Sequence, residues 1–280
     1  MFDTDHPQIR EAVQRALEED IGAGDVTSEL TVPPLLRAEG SFLARDSFVL
    51  AGIELLPLVY KARGDLHGGA EVRLFKSSGD FVQAGAILAI VSASARTLLE
   101  CERVSLNFLQ RLSGIATLAH KHVEAVAGTK TKVLDTRKTT PGLRVLEKNA
   151  AAAGGATNHR QGLFDAVLIK NNHITAAGGV RNALSKTASF AGSVEIEVRT
   201  RTELDDALAC GAKHLLLDNL TPEQAREWIQ YIAGRATVEL SGNIRLDNIR
   251  AYAETGPDFI SCGAITHSAV AVDISFRLQL

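Results

Sequence analysis

Cysteine is scarce in this 280-residue chain: Cys101, Cys210 and Cys262 are the only three, in no CxxC or Cys/His ligand spacing. That pattern excludes a thiolate metal site or redox pair, suits a reducing compartment, and offers no evident nucleophile. A surplus of either charge is also missing, since the formal net charge is -3. Nucleic acid or a membrane surface held by bulk electrostatics is thereby excluded, and any anion recognition must be local. No apolar run approaches the roughly 20 residues of a membrane span. The opening MFDTDHPQIREAVQRALEED carries several acids and no apolar secretory core, so the sequence reads as cytoplasmic. What the chain does have is 45% hydrophobic residues, ample for one large core or two modest ones.

Ile9, Val13, Leu17 and Ile21 recur at helical spacing, so the chain opens with an amphipathic helix stopped at Gly22-Ala-Gly24. Short β-rich runs punctuated by Gly and Ser follow from about residue 37 to 93, a small α+β unit. Next comes LLECERVSLNFLQRLSGIATLAHKHVEAVA, a long helix that Gly114 is expected to break; on it Arg103 interrupts an apolar stripe. Beyond residue 130 six apolar runs, KVLDTR, DAVLIK, VEIEV, HLLLDN, TVELSG and FISCG, alternate with helical segments. Such repeated βα units predict a parallel sheet, most economically a (β/α) barrel of about six to eight strands.

Strand ends then become the places to look, because in such barrels they converge on one mouth. In LDTRKTTPGLRVLEKN the mouth receives Arg137 and Lys138, whereas Arg144 and Lys148, at i,i+4 spacing, read as a solvated helix face. Arg160, Lys170 and His159 add to the cations, a set suited to a substrate with several carboxylates or phosphates. Glu197 and Asp218 end neighbouring strands and could hold Mg²⁺ through water, bind a ribose diol, or pair with a mouth cation. Ser241-Gly242-Asn243 and Ser261-Cys262-Gly263 end the last two strands, where barrels build phosphate sites from backbone N–H groups. A sugar-phosphate donor and an acidic acceptor fit this inventory, hence phosphoribosyl transfer.

The run DTRKTTPGLRVLEKNAAAAGGATNHRQGLFDAVLIKNNH closely resembles the quinolinate phosphoribosyltransferases, also called nicotinate-nucleotide pyrophosphorylases (carboxylating). ALEEDIGAGDVTSE, ECERVSLNFLQRLSGIAT, EIEV, LLLDN, ELSGNI and CGAITHSAVAVDIS extend the likeness over nearly the whole chain. The resemblance implies transfer from phosphoribosyl pyrophosphate to quinolinate with Mg²⁺, releasing pyrophosphate and CO₂ and leaving nicotinate mononucleotide for NAD synthesis. It assigns Arg137, His159, Arg160 and Lys170 to the quinolinate carboxylates, with Lys138 near both substrates and Thr136 also counted among the substrate-binding residues. Glu197 and Asp218 fall to the ribose and its metal, and the SGN and SCG runs to the 5′-phosphate. Lys138, Lys170, Glu197 and Asp218 are thereby the expected catalytic groups. Arg103 is expected to reach the neighbouring subunit's site in a homodimer or higher oligomer. Ala156 and Asn149 depart from the family pattern, which has a third Gly and often an aromatic there.

The expected fold is therefore α/β: an incomplete or open (β/α) barrel, residues 114–268, with a smaller hammerhead-like α+β domain, residues 1–113 joined by the tail 269–280. Competing readings are a molybdenum-uptake-associated paralogue, whose kind tends to lose NHR and the lysine of IK-x-NH, and a Schiff-base aldolase using Lys170. GDFVQAGAILAIV is similar to half of a biotinyl or lipoyl carrier motif, without the hairpin lysine that carriers need.

Overall fold

The computed structural model describes residues 2–64 and 69–280. The chain begins with helices α1 (Pro7–Ile21) and α2 (Val26–Thr31), strands β1 (Arg37–Ala44) and β2 (Phe48–Val49), and helix α3 (Leu55–Arg63). Strands β3 (Glu71–Leu74), β4 (Phe81–Val82) and β5 (Ile87–Ser94) lead into helix α4 (Ala95–Ala125). Then come β6 (Lys132–Leu134), α5 (Arg144–Ala153), β7 (Val167–Ile169), α6 (Asn171–Ala177), α7 (Val180–Ser185), β8 (Val194–Val198) and α8 (Arg201–Ala209). The last part holds β9 (His214–Asp218), α9 (Pro222–Ile232), β10 (Thr237–Ser241), α10 (Ile249–Ala253), β11 (Phe259–Ser261), α11 (Ala264–His267) and β12 (Ile274–Gln279). Two compact units result. The first takes in the chain up to His120, Thr139–Gly155 and Ile265–Leu280; the second is Lys121–Lys138 with Ala156–Ala264.

In the first unit α1 starts where the His6 ring caps Gln8 N–H and Pro7 presets the helical φ, and it buries Ile9, Val13 and Leu17. Gly22, at φ +53°, ends it. A four-stranded antiparallel sheet runs β12-β1-β5-β3, beside a two-stranded β2-β4 ribbon. Gly40 on β1 is obligatory: a Cβ there would lie 2.1 Å from the Phe276 ring of β12, which crosses Phe42 edge-on at 5.0 Å between centroids. The carrier-like stretch becomes β4 and β5 joined by Gln83-Ala-Gly-Ala86, a turn without lysine.

Contrary to the sequence expectation, Gly114 does not break the long helix; α4 is continuous over 31 residues. A Cβ at Gly114 would meet the Val270 carbonyl at 2.1 Å, so the glycine serves close approach of another strand of chain rather than a bend. A second correction concerns Lys148. It is fully buried, as is Glu147 beside it, whereas the i,i+4 argument put it on a solvated face. Spacing fixes which residues share a face of α5, but not that the face is wet. Leu146, Glu147, Lys148, Ala150 and Ala151 are all buried.

The second unit contains all six expected strands in one parallel sheet, ordered β6-β11-β10-β9-β8-β7, wrapped by the intervening helices as an incomplete (β/α) barrel. The edge strand β6 is extended by a parallel bridge between Leu134 and Thr157. Side chains alternate across each strand. One face of β8 therefore carries Glu195 and Glu197, of β9 His214, Leu216 and Asp218, and of β10 Thr237, Glu239 and Ser241.

Candidate active site

The carboxyl ends of these strands surround a cavity of about 240 Å³. Thr136, Arg137 and Lys138 enter it from the exit of β6, Ser241 from β10 and Ser261 from β11. Lys170 follows β7, and His159 and Arg160 come from the segment after the Thr157 bridge; Leu168, Leu216 and Glu239 complete the lining. Eight of the residues picked out in the sequence thus share one pocket.

Local bonds explain how the segments are held. Asp135, fully buried just before Thr136, accepts from Asn158 Nδ2 at 2.6 Å and from the His159 N–H at 2.8 Å. One carboxylate so ties NHR to TRK. The Thr136 hydroxyl accepts the Lys138 N–H at 3.1 Å, closing a tight turn. After β7 the His173 ring accepts the Lys170 N–H at 2.9 Å, fixing the start of α6 and with it the lysine. That gives the histidine of IK-x-NH a physical role.

Electrostatically the pocket is cationic above and anionic beneath. Burial and the neighbouring Arg137 guanidinium hold Arg160 below the ordinary arginine range; its Nη1 donates to Ala166 O at 3.1 Å. Two guanidinia so close favour an anion between them. Lys170, 47% exposed, reaches Glu197 at 3.3 Å, whose side chain is only 6% exposed. The aldolase reading needs a desolvated lysine, and Lys170 is neither buried nor isolated. Beneath, His159 Nε2 lies 3.4 Å from Glu195 and 3.4 Å from Glu239. Two demands meet on this ring. Burial opposes its charge, whereas hydrogen bonds to the two acids favour it and raise its pKa. The Arg160 N–H, however, donates to Nδ1 at 2.7 Å and needs a lone pair there. Because that amide is fixed by the backbone, we place the ring proton on Nε2, facing the two acids, of which burial raises Glu195.

The glycine-bearing SGN loop interlocks with the LDN loop that follows β9. Asn219 and Asn243 adopt left-handed φ of 57° and 53°, and Gly242 stands at 100°. A Cβ on Gly242 would lie 2.3 Å from Asn219 Oδ1, so only glycine fits. Asn219 N–H donates to Ser241 O at 2.9 Å, and its side-chain amide donates to Asp218 Oδ2 at 2.6 Å. Asn243 Nδ2 donates back to Asn219 Oδ1 at 3.3 Å. Such left-handed asparagines cluster at ligand sites. Across the mouth Cys262 N–H donates to Leu134 O at 3.0 Å, and burial pushes its thiol up to about 12, so it is no nucleophile. Gly263 follows directly, and Asp218 borders the same end of the sheet.

Arg103 is exposed on α4, in the first unit, and is not among the residues lining this cavity. Four residues were missed by sequence reasoning: Asp135, Glu195, Asn219 and Glu239. The two-residue alternation in VEIEV and TVELS would have found both glutamates, since Glu195 shares a face with Glu197 and Glu239 with Ser241.

Known proteins match this arrangement over its length. The family model described as quinolinate phosphoribosyl transferase, C-terminal domain, covers residues 115–277, and its N-terminal counterpart covers 25–113. A Bacillus subtilis protein, named probable nicotinate-nucleotide pyrophosphorylase [carboxylating], is 37% identical over 98% of this chain and 95% of its own length. A chloroplastic nicotinate-nucleotide pyrophosphorylase of Oryza sativa is also 37% identical, over 98% of this chain and 79% of its own. The solved nicotinate-nucleotide pyrophosphorylase of Francisella tularensis superposes with a TM-score of 0.92 at 37% identity, covering 100% of this chain and 98% of that one.

Proposed function

As this chain belongs to the quinolinate phosphoribosyl transferase family, we propose that it transfers phosphoribosyl from phosphoribosyl pyrophosphate to quinolinate, with decarboxylation, in de novo NAD synthesis. The observation that carries the reading is the convergence of Arg137, Lys138, Arg160 and Lys170 on one small cavity beside the interlocked SGN and LDN loops. At about 240 Å³ the cavity falls just below the range of drug-sized sites, ~300–1,000 Å³, and suits one dicarboxylate ring. The longer phosphoribosyl donor would extend over the loops at the ends of β9 to β11.

In this reading Arg137 and Arg160 clamp the carboxylates and align the pyridine nitrogen with the ribose C1. The N–C1 bond forms as the C1–O bond to pyrophosphate breaks, through a centre of oxocarbenium character, with Lys138 offsetting the leaving charge. The bond from C2 to its carboxylate then breaks. CO₂ leaves, the electron pair stays at C2 beside the cationic ring nitrogen, and a proton replaces it. Lys170, which lines the same cavity and pairs with Glu197, would add a further cation beside that ring. Carboxylate oxygens suit Mg²⁺, and Glu197 and Asp218, at the ends of β8 and β9, would hold it through water. When bound, the ion would neutralise pyrophosphate charge.

A homodimer in which Arg103 enters the partner's site belongs to the same proposal, supported by the exposure of that arginine on α4. No helix among the described residues is long and apolar enough to cross a membrane; cytoplasmic residence is proposed with the rest. Retention of Asn158-His159-Arg160 and Lys170 favours quinolinate over the molybdenum-associated alternative. Incubation with both substrates and Mg²⁺ should yield nicotinate mononucleotide, and nicotinate in place of quinolinate should yield none. Absence of product from quinolinate would overturn the assignment.

A further inference from the structure

Two acids below the pocket have no part in the reaction as just described. Glu195 and Glu239 point inward from β8 and β10, their side chains 14% and 3% exposed, and both face His159 Nε2. On the other side of the ring Nδ1 accepts the Arg160 N–H, and the His159 N–H is held by Asp135. Both ring nitrogens are therefore engaged within the protein.

The same three groups offer ligand atoms within 4.8 Å of one another and could be taken for a cation site. The tautomer argues against that. A nitrogen that accepts an N–H keeps its lone pair, so the ring proton is on Nε2, the atom facing the carboxylates, which has no lone pair for a metal.

We propose that Glu195 and Glu239 are positioning residues for the dicarboxylate pocket. By accepting from Nε2–H they lock the His159 ring, so that Nδ1 anchors the Arg160 main chain and the guanidinium beyond it is aimed into the cavity. The chain of contacts is continuous: acid to ring at 3.4 Å, ring to amide at 2.7 Å, and guanidinium to Ala166 O at 3.1 Å. Two points of attachment on opposite sides of the imidazole leave it no rotation. An acid that reached only one edge would orient the ring far less. Behind histidines that ligate a metal, removing an outer carboxylate of this kind costs about 10–100-fold in affinity or activity, and the low end of that scale is taken for the present ring.

The substrate in this inference rests on the quinolinate reading, and the test separates the two. Quinolinate and phosphoribosyl pyrophosphate are titrated calorimetrically into wild type, Glu239→Gln, His159→Asn and the double variant. Each single change should weaken quinolinate about tenfold and leave phosphoribosyl pyrophosphate unaltered. The double should be no weaker than the worse single, because the acid acts through the ring. Nitrogen NMR of wild type should show His159 with its lone pair on Nδ1, and Glu239→Gln should loosen that preference. Glu195→Gln is measured alongside, so an unstable Glu239→Gln does not end the experiment. Unchanged quinolinate affinity in both glutamine variants, independent effects multiplying in the double, or a proton on Nδ1 would overturn the proposal. If wild type itself does not bind quinolinate, the proposed function fails, while the nitrogen resonances still decide how the ring is held.

Discussion

Two cation–carboxylate pairs, one in each unit, look alike on paper and differ in what surrounds them. In the first unit Glu147, fully buried, accepts from Arg111 Nη2 at 3.0 Å and from the Thr140 N–H and hydroxyl at 3.0 and 2.7 Å. Arg111 in turn donates to the Thr266 and Ala269 carbonyls at 2.7 and 2.8 Å. In the second unit Glu197, nearly as buried, meets Lys170 through one 3.3 Å contact, and that lysine is half in solvent. A carboxylate saturated by backbone and hydroxyl donors is a fastening. One held by a single half-exposed cation keeps its capacity for something that comes and goes.

Breaking each pair should expose that contrast. Glu147→Ala should cost about 3–5 kcal/mol of stability, read from the urea midpoint, because it leaves Arg111 without its charge partner inside the unit; a wild-type midpoint would erase the distinction. Glu197→Gln should instead lower kcat by ~10²–10³ with the midpoint almost unmoved, and stopped assays beside the same urea curves would check both halves. Arg160→Ala should weaken quinolinate by about 1.5–3 kcal/mol and spare phosphoribosyl pyrophosphate, so calorimetry showing equal losses would blur the two subsites into one. Gly242→Ala forces a Cβ onto Asn219 and should cost about 1–3 kcal/mol in strain, appearing as a raised KM for the phosphoribosyl donor. The smallest effect should come from Asp25→Ala, which removes the cap accepting the Ser28 N–H at 3.0 Å. About 1 kcal/mol is expected. Hydrogen bonds from Ser28 hold the Asp25 carboxyl below its ordinary range, so in wild type this contribution is present above the unfolded pKa and fades as pH falls through the lower folded value.

The sequence was most legible where a residue's chemistry and its place in a strand agreed. Each of the six barrel strands has a polar residue at or next to its carboxyl end, so TRK, IK, SGN and SCG, with NHR beside them, could be gathered at one mouth from the sequence. Legibility failed where burial had to be judged. Lys148 is charged, and nothing in spacing says that α5 is enclosed. Gly114 is a helix breaker by propensity, yet here tertiary contact with Val270 overrides that preference and the helix runs through. Glu195 and Glu239 were hidden for a different reason: acids inside a barrel look, in one dimension, like acids on its surface. The alternation that would have placed them was present, but a strand of five residues, read for its apolar members, does not announce which polar ones it turns inward.

The first sheet has a consequence for how this chain acquires its shape. Glu39 on β1 is registered against Gln279 on β12, so one border of that sheet is completed by residues made long after the other strands. On the ribosome β1, β3 and β5 can assemble early, but β1 must wait with unsatisfied amides and carbonyls on one side while the entire barrel is being synthesised. Exposed borders of that kind invite pairing with other chains. Gly40, which leaves room for Phe276 to lie across it, shapes the waiting strand for its late partner, and the docking of that partner ends the interval in which the border stands open.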